Sequence, residues 1–308
     1  MRFSVDPWDP AYGTSNDLDP ADASKAHVDV DVEVPAARWA PLRPDGPAAT
    51  DRLVFIDGVR RVEAHVWIDA DDGTTHHGIC ASYAAGAVRC DGRATCGPFI
   101  VRRGLFTTHG GAVTIPTRAG DFTVRLAPAA SAEGLALAVQ QRMADAELDA
   151  AEAACGAGDV DLVVVDGPLR GCDRLPRAVG YIKTHHVTYL PPELNAVVGS
   201  LAPGERTPLF ILGTDWSRLA WYFRLAASSG SPWSGVVRGE CSANLELSGA
   251  TALADRVTAA LPRFASAAHK DSRAPQNLYP IAGLERELRH RLGDPQLLYR
   301  ALRVAAAA

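Results

Sequence analysis

Two aspartates are marked by where they fall. Leu53-Val54-Phe55-Ile56 is a short apolar run, and Asp161 to Val165 is almost continuously apolar. Both have the profile of buried β-strands, and both close on Asp-Gly, as Asp57-Gly58 and Asp166-Gly167. A carboxylate at the end of a buried strand is costly unless it is paired, hydrogen-bonded or on a metal. One reading is structural: an Asp that opens a tight turn, with Gly at a positive φ. The other is a shared divalent-metal site. Mg²⁺ and Mn²⁺ take hard oxygen ligands, and two such ions can clamp the attacking and leaving oxygens of a phosphodiester.

Such a site needs a third carboxylate. Ser131 is a candidate N-cap for a long Ala-rich helix running to about Ala154, with Leu135, Val139, Met143, Ala146 and Ala150 as its apolar stripe. At roughly 100° per residue, Glu147 falls on the inner margin of that stripe, while Glu152 and Asp145 fall on the solvent side. Glu147 can therefore point toward a sheet. The alternative for Glu147 is a solvated flank residue paired with Lys or Arg.

Strand Asp, helix Glu, inner-strand Asp and a late C-terminal helix are the parts of a ribonuclease-H-like carboxylate cluster. The chain resembles the NurA nuclease family. The resemblance rests on Leu53-Val54-Phe55-Ile56-Asp57-Gly58, on Asp161 through Val165 continuing into Asp166-Gly167-Pro168-Leu169, on Val179-Gly180-Tyr181-Ile182-Lys183-Thr184, and on Leu278-Tyr279-Pro280 opening the last helix. The close Asp-Gly-Pro-Leu and Ile-Lys-Thr pair is the most specific. The resemblance implies a ribonuclease-H-like fold and a manganese- or magnesium-dependent DNA nuclease. It also implies a homodimer that works with a HerA-type hexameric translocase ATPase in DNA end processing. By resemblance, Asp57 and Asp166 are the two strand aspartates, Glu147 matches the helix glutamate, and Tyr279 is the Tyr of the C-terminal motif.

One departure matters. The family motif continues from Tyr-Pro to a His on the same helix. Here the stretch is Ile281-Ala282-Gly283-Leu284-Glu285-Arg286-Glu287-Leu288, without a His. Glu287 stands about where the His would be, and a carboxylate can replace imidazole on Mn²⁺ or Mg²⁺. His290, one turn further on, is a second substitute. Alternatively the His is lost and activity is weakened.

A nuclease must also hold phosphates. Lys183 follows an apolar strand and suits a phosphate or a carboxylate contact. Arg60 and Arg170 lie just beyond the two Asp-Gly pairs, where cations can draw DNA toward the carboxylates. Tyr279 could contact a nucleotide. Arg238-Gly239-Glu240 either extends this basic cluster or forms an ion pair. His185-His186 suits strand-edge residues better than ligands, because neighbours on a strand face opposite ways.

The elements that must position these groups read as a mixed α/β chain. Residues 1–50 form an irregular N-terminal arm, with Trp8, Tyr12 and Trp39 as possible anchors, and 51–308 the nuclease-like domain. After the first run, Val62 to Asp69 reads as a partner strand, Asp71-Asp72-Gly73 as a turn and His76 to Val88 as a third strand. Short strands follow, including Pro98–Arg102 and Phe122–Leu126. After the long helix and the inner strand come Ala178 to Lys183, Leu209 to Gly213, an ambiguous Trp216 to Ala227, and Trp233 to Ala243. Ala250 to Phe264 and Ile281 to Arg291 read as helices, and a short helical tail ends the chain. The expected fold is α/β: a ribonuclease-H-like mixed β-sheet flanked by helices, with extra β-strands.

Composition narrows the class. The net charge of −5 argues against polybasic binding driven by charge alone, although a metal-loaded carboxylate cluster would be locally positive. Only three of the 31 cations are Lys. No run of about 18 apolar residues is present, so no membrane span is expected. The acidic N-terminus lacks a basic-then-apolar leader, and the six Cys form no Cys-x-x-Cys pair. Reduced thiols in a cytoplasm are expected. A sugar-kinase-like ATP site would need a Gly- and Thr-rich loop after the first Asp, and Val59-Arg60-Arg61 offers none.

Overall fold

The computed structural model describes residues 26–45, 52–169, 171–175, 177–185, 187–213, 216–227 and 232–307. Trp8, Tyr12, Arg170 and His186 lie outside them. By its contacts the chain divides into two units. One takes in residues up to Phe55 with 89–94 and 159–282; the other takes in 56–88, 95–158 and 283–308.

The first unit holds strands β1 (His27–Asp29), β6 (Leu162–Asp166), β7 (Ala178–Ile182), β8 (Phe210–Gly213), β9 (Ser217–Arg224) and β10 (Val236–Ser242), with helices α2 (Pro192–Ser200) and α3 (Leu247–Ala260). Strand order is β1-β8-β9-β10-β7-β6, and the start of β2 (Leu53–Asp69) follows β6. β6 and β7 run parallel, with Asp166 opposite Tyr181; β7–β10, β10–β9, β9–β8 and β8–β1 are antiparallel. The first-unit core joins Leu194 and Val198 of α2 to Phe210, Tyr222 and Val236. Part of the arm packs here. Trp39 is buried in that cluster and donates its indole N–H to Val30 O, and the Glu33 carboxylate takes the Arg206 guanidinium through two bonds of 2.8 Å.

The second unit holds the rest of β2, then β3 (Thr75–Cys90), β4 (Ala94–Thr107) and β5 (Thr123–Leu126) as successive neighbours, with α1 (Ala132–Gly156), α4 (Tyr279–Arg291, from Gly283 on) and α5 (Pro295–Ala305). β4 and β5 are parallel. β3 shows why its sequence is apolar without clear alternation. Ile79, Ala81, Tyr83 and Ala85 pack against α1, while Ala84 and Cys80, on the other face, pack against α4 and α5. Ser131 caps α1 by accepting the Gly134 N–H at 3.1 Å, and all five stripe residues of this helix are buried. The chain is thus α/β with a mixed sheet and flanking helices, an arrangement compatible with a ribonuclease-H-like fold.

Several boundaries differ from the expected ones. Leu53–Ile56 and Val62–Asp69 are one strand, not two, because Asp57-Gly58 does not turn. Gly58 is not among the positive-φ glycines; Gly73, in the next turn, is, at φ 80°. β4 is likewise one long strand where several short ones were expected, and the ambiguous 216–227 stretch is the strand β9. α2, introduced by Pro191-Pro192, was not anticipated. Among the described residues no helix is long and apolar enough to cross a membrane.

None of the six cysteines is in a disulfide. Burial pushes the Cys80 and Cys241 thiols up to about 12, with the nearby Glu63 and Glu240 charges adding to it. A thiol reagent at neutral pH is therefore expected to label exposed Cys96 first and to reach Cys80 and Cys241 only on unfolding. Mass mapping of the labelled protein checks this, and rapid native labelling of Cys80 would contradict the packing described.

Candidate active site

The first group of candidate residues gathers at the carboxyl ends of the parallel strands β6 and β7, the edge of an α/β sheet where crevices form. β6 delivers Asp166 at its last position, and Gly167 follows at φ 104°, a backbone conformation that favours glycine, with its N–H donating to Tyr181 O at 2.8 Å. β7 ends at Ile182, and Lys183 is the next residue. Its ammonium lies 2.7 Å from Asp166 Oδ2 and 3.1 Å from Asn277 Oδ1. Asn277 is fully buried and donates to Asp271 Oδ2 at 2.7 Å, which fixes its amide. Asp166 Oδ1 is buried without a hydrogen-bond partner. An uncompensated carboxylate oxygen in such a place costs free energy and is one that a cation can satisfy.

Beneath this pair, the Tyr181 phenol donates to Gln276 O at 2.5 Å. Burial holds that phenol well above its usual range, and the Asp166 charge reinforces the shift, so it remains a neutral donor. A cleft of about 470 Å³ opens here, lined by Asp166, Pro168, Lys183, Thr184, Tyr189 and Arg238 among others.

The second group lies in the other unit. Asp57 sits inside β2, is 6% exposed, and accepts the Gly58 N–H at 2.8 Å. Gly58 lies under α1: a methyl group at this position would strike the Glu147 carboxylate oxygen Oε1 and come within 2.9 Å of Met143 Cγ. This glycine serves close approach rather than a turn. It brings the Glu147 carboxylate onto the residue next to Asp57, as the helical spacing suggested, while Asp145 and Glu152 are exposed. Strand alternation sends the Asp57 side chain to the opposite face, the one it shares with Val59, and Val59 packs on Leu284 and Leu288 of α4. Each unit on its own thus supplies one or two of the three acids. Among the described residues no group of three or more His, Cys, Asp or Glu side chains is preformed for a metal.

The remaining candidates are spread out. Arg60 bonds to Gln140 Oε1 on α1. Tyr279 opens α4 at 40% exposure, accepts the Ala267 N–H at 3.1 Å, and carries Lys270 5.6 Å from its ring centroid. Glu287 pairs with Arg291 at 2.8 Å on the outer side of α4. Glu285, not singled out from the sequence, is the more enclosed acid of this helix, its side chain 17% exposed against 39% for Glu287. The helical phase carried that signal, since Glu285 falls about 40° from the edge of the arc of Ile281, Leu284 and Leu288, and Glu287 about 60° from its other edge. Asn277 and Asp271 were missed as well; a buried amide just before Leu278-Tyr279-Pro280 was the available clue. His185 is not a polar strand-edge residue. It is 1% exposed, and its ring packs against Tyr222 and Trp233 with Nε2 at 3.2 Å from Val236 O.

The NurA domain family model matches residues 133–286, half of the chain. The match takes in Glu147, Asp166, Lys183 and Tyr279; Asp57 lies before it and Glu287 just after it. No curated protein matches.

Proposed function

Because the chain belongs to the NurA family, a family of nucleases, we propose that it is a metal-dependent deoxyribonuclease that processes DNA ends with a HerA-type hexameric translocase. One observation carries the metal-site part of this reading: the buried, partnerless Oδ1 of Asp166 beside Lys183, at the mouth of a cleft. The donors fit Mn²⁺ or Mg²⁺, since the acids offered are all hard oxygen ligands. Asp166 would hold an ion at its cleft; Asp57 and Glu147, on opposite faces of β2, are the other proposed donors of the family set, with Glu287 as a further one once it leaves Arg291. When bound, such ions lower the pKa of a coordinated water and stabilise charge on the phosphoryl group.

The chain's own side chains have separable tasks. Lys183, itself held by Asn277, fixes the Asp166 carboxylate through Oδ2 and leaves Oδ1 without a hydrogen-bond partner. Lys183 also brings a positive charge to the cleft for a phosphate. Arg60, Arg170 and Tyr279 are proposed DNA contacts; Arg60 would exchange its bond to Gln140 for a phosphate. A homodimer in the cytoplasm belongs to the same proposal.

A second reading, a subunit that binds DNA or caps the translocase without cutting, is favoured by α4. It has no His at the motif position, and Glu287 is engaged with Arg291. The purified protein on end-labelled DNA separates the two. Cleavage that requires Mn²⁺ or Mg²⁺ and stops with EDTA is expected. No cleavage with either metal, with and without the translocase, would favour the second reading.

A further inference from the structure

The cleft beside Asp166 contains a cation that neither the carboxylate cluster nor Lys183 accounts for. Arg238 lies on β10 opposite Ile182, the residue before Lys183, and lines the same cleft although only 6% exposed. It is held in place from several sides. Its Nε and Nη2 donate to Glu240 Oε1 at 3.2 and 3.0 Å, and its guanidinium lies 4.9 Å from the centroid of the Tyr189 ring. The same Glu240 oxygen also takes Arg218 Nε at 2.8 Å, while Glu240 Oε2 is buried without a hydrogen-bond partner.

One fully buried carboxylate therefore serves two arginines. Of these charged groups Asp166, Lys183 and Arg238 line the cleft, two cations beside one carboxylate. A buried ion pair is costly to desolvate, and a well-packed apolar side chain would fill β10 at lower cost. The Arg238 guanidinium has a use there if an anion enters from the cleft. A guanidinium already fixed by a carboxylate and an aromatic face loses little freedom on binding, and its planar fork matches a phosphate.

We propose that Arg238 is a phosphate-binding residue, taking a backbone phosphate of a polynucleotide strand that runs through the cleft past Lys183 to Asp166. This rests on the nuclease reading above and adds to it the path of the strand. Tyr189 is the positioning residue that keeps the guanidinium facing the cleft.

The test is binding of a fluorescein-labelled oligothymidylate in EDTA, followed by anisotropy across a salt series. Losing one phosphate contact lowers the slope of log K against log salt by about 0.7 for a single strand. Arg238→Met is expected to show that loss with about tenfold weaker binding, and Arg238→Lys to keep the wild-type slope. An unchanged slope in Arg238→Met would overturn the proposal, whatever its effect on cleavage, since a merely structural arginine leaves the slope alone. If Arg238→Met does not fold, the wild-type protein gives the answer by NMR. The Arg238 Nε–H resonance must shift on saturation with a thymidine dinucleotide, and a static resonance would overturn the proposal. The underlying reading fails separately: a wild-type protein that binds with the full slope but cuts with no metal leaves the phosphate site standing and refutes the nuclease.

Discussion

Asp166→Asn is expected to lower metal-supported DNA cleavage about a thousandfold or more while the protein still folds. The substitution is isosteric, and the Asn oxygen can still accept from Lys183. It removes the negative charge that a divalent ion would need and puts an amide nitrogen in place of the partnerless oxygen. A thousandfold is about 4 kcal/mol of transition-state stabilisation, a reasonable loss for one ligand of a metal centre. Some stability also goes, because Lys183 loses its counter-ion. Breaking a buried pair costs about 3–5 kcal/mol. Here the two side chains keep 13–14% exposure to the cleft, so a value at or below the low end is expected. Asp166→Asn combined with Lys183→Met should recover much of that stability and none of the activity. A double variant that regains cleavage would mean that Asp166 acts only as a partner for the lysine.

The second large effect is expected from one methyl group. Gly58→Ala places a Cβ against the Glu147 carboxylate and within 2.9 Å of Met143 Cγ. The carboxylate is the far end of a flexible side chain and can swing away, so the stability cost should stay near 1–2 kcal/mol, the range of mild overpacking. Activity should fall much further, by about a hundredfold, since displacing a positioned catalytic group by an ångström costs that order. Thermal melts and cleavage rates on the same preparation test the two halves together. If Gly58→Ala is mildly destabilised yet fully active, Glu147 is a surface flank residue and has no part in the chemistry.

This glycine also shows where the sequence is legible and where it is not. Asp57-Gly58 and Asp166-Gly167 look alike as text, both closing apolar runs. Gly167 needs its positive φ just past the strand end; Gly58 is extended and admits a helix. Local pattern cannot tell a glycine needed for its backbone from one needed for its missing side chain, because the second reason lies about 90 residues away in α1. The same blindness split β2 into two strands.

Where the physics is local, the reading was accurate. The Ser131 cap, the buried stripe of α1 and the inward margin of Glu147 follow from helical geometry alone. Lys183 was read as suited to a phosphate or a carboxylate; that the carboxylate is Asp166 follows only once β6 and β7 pair in parallel. What was lost is what depends on distant neighbours. Asn277 matters because β7 delivers Lys183 to it, and His185 is in the core because Tyr222 and Trp233 close around it. On α4, matching a family motif by position pointed to Glu287, whereas the apolar phase of the helix places Glu285 nearer the packed face.

The measurement that bears most directly on the central claim is calorimetric titration of Mn²⁺ into the wild-type protein and into Asp166→Asn. The account predicts saturable binding to the wild type, weakened at least tenfold in the variant, with both proteins showing folded-state melts. Equal Mn²⁺ affinity in the two proteins, or no binding to the wild type, would contradict it.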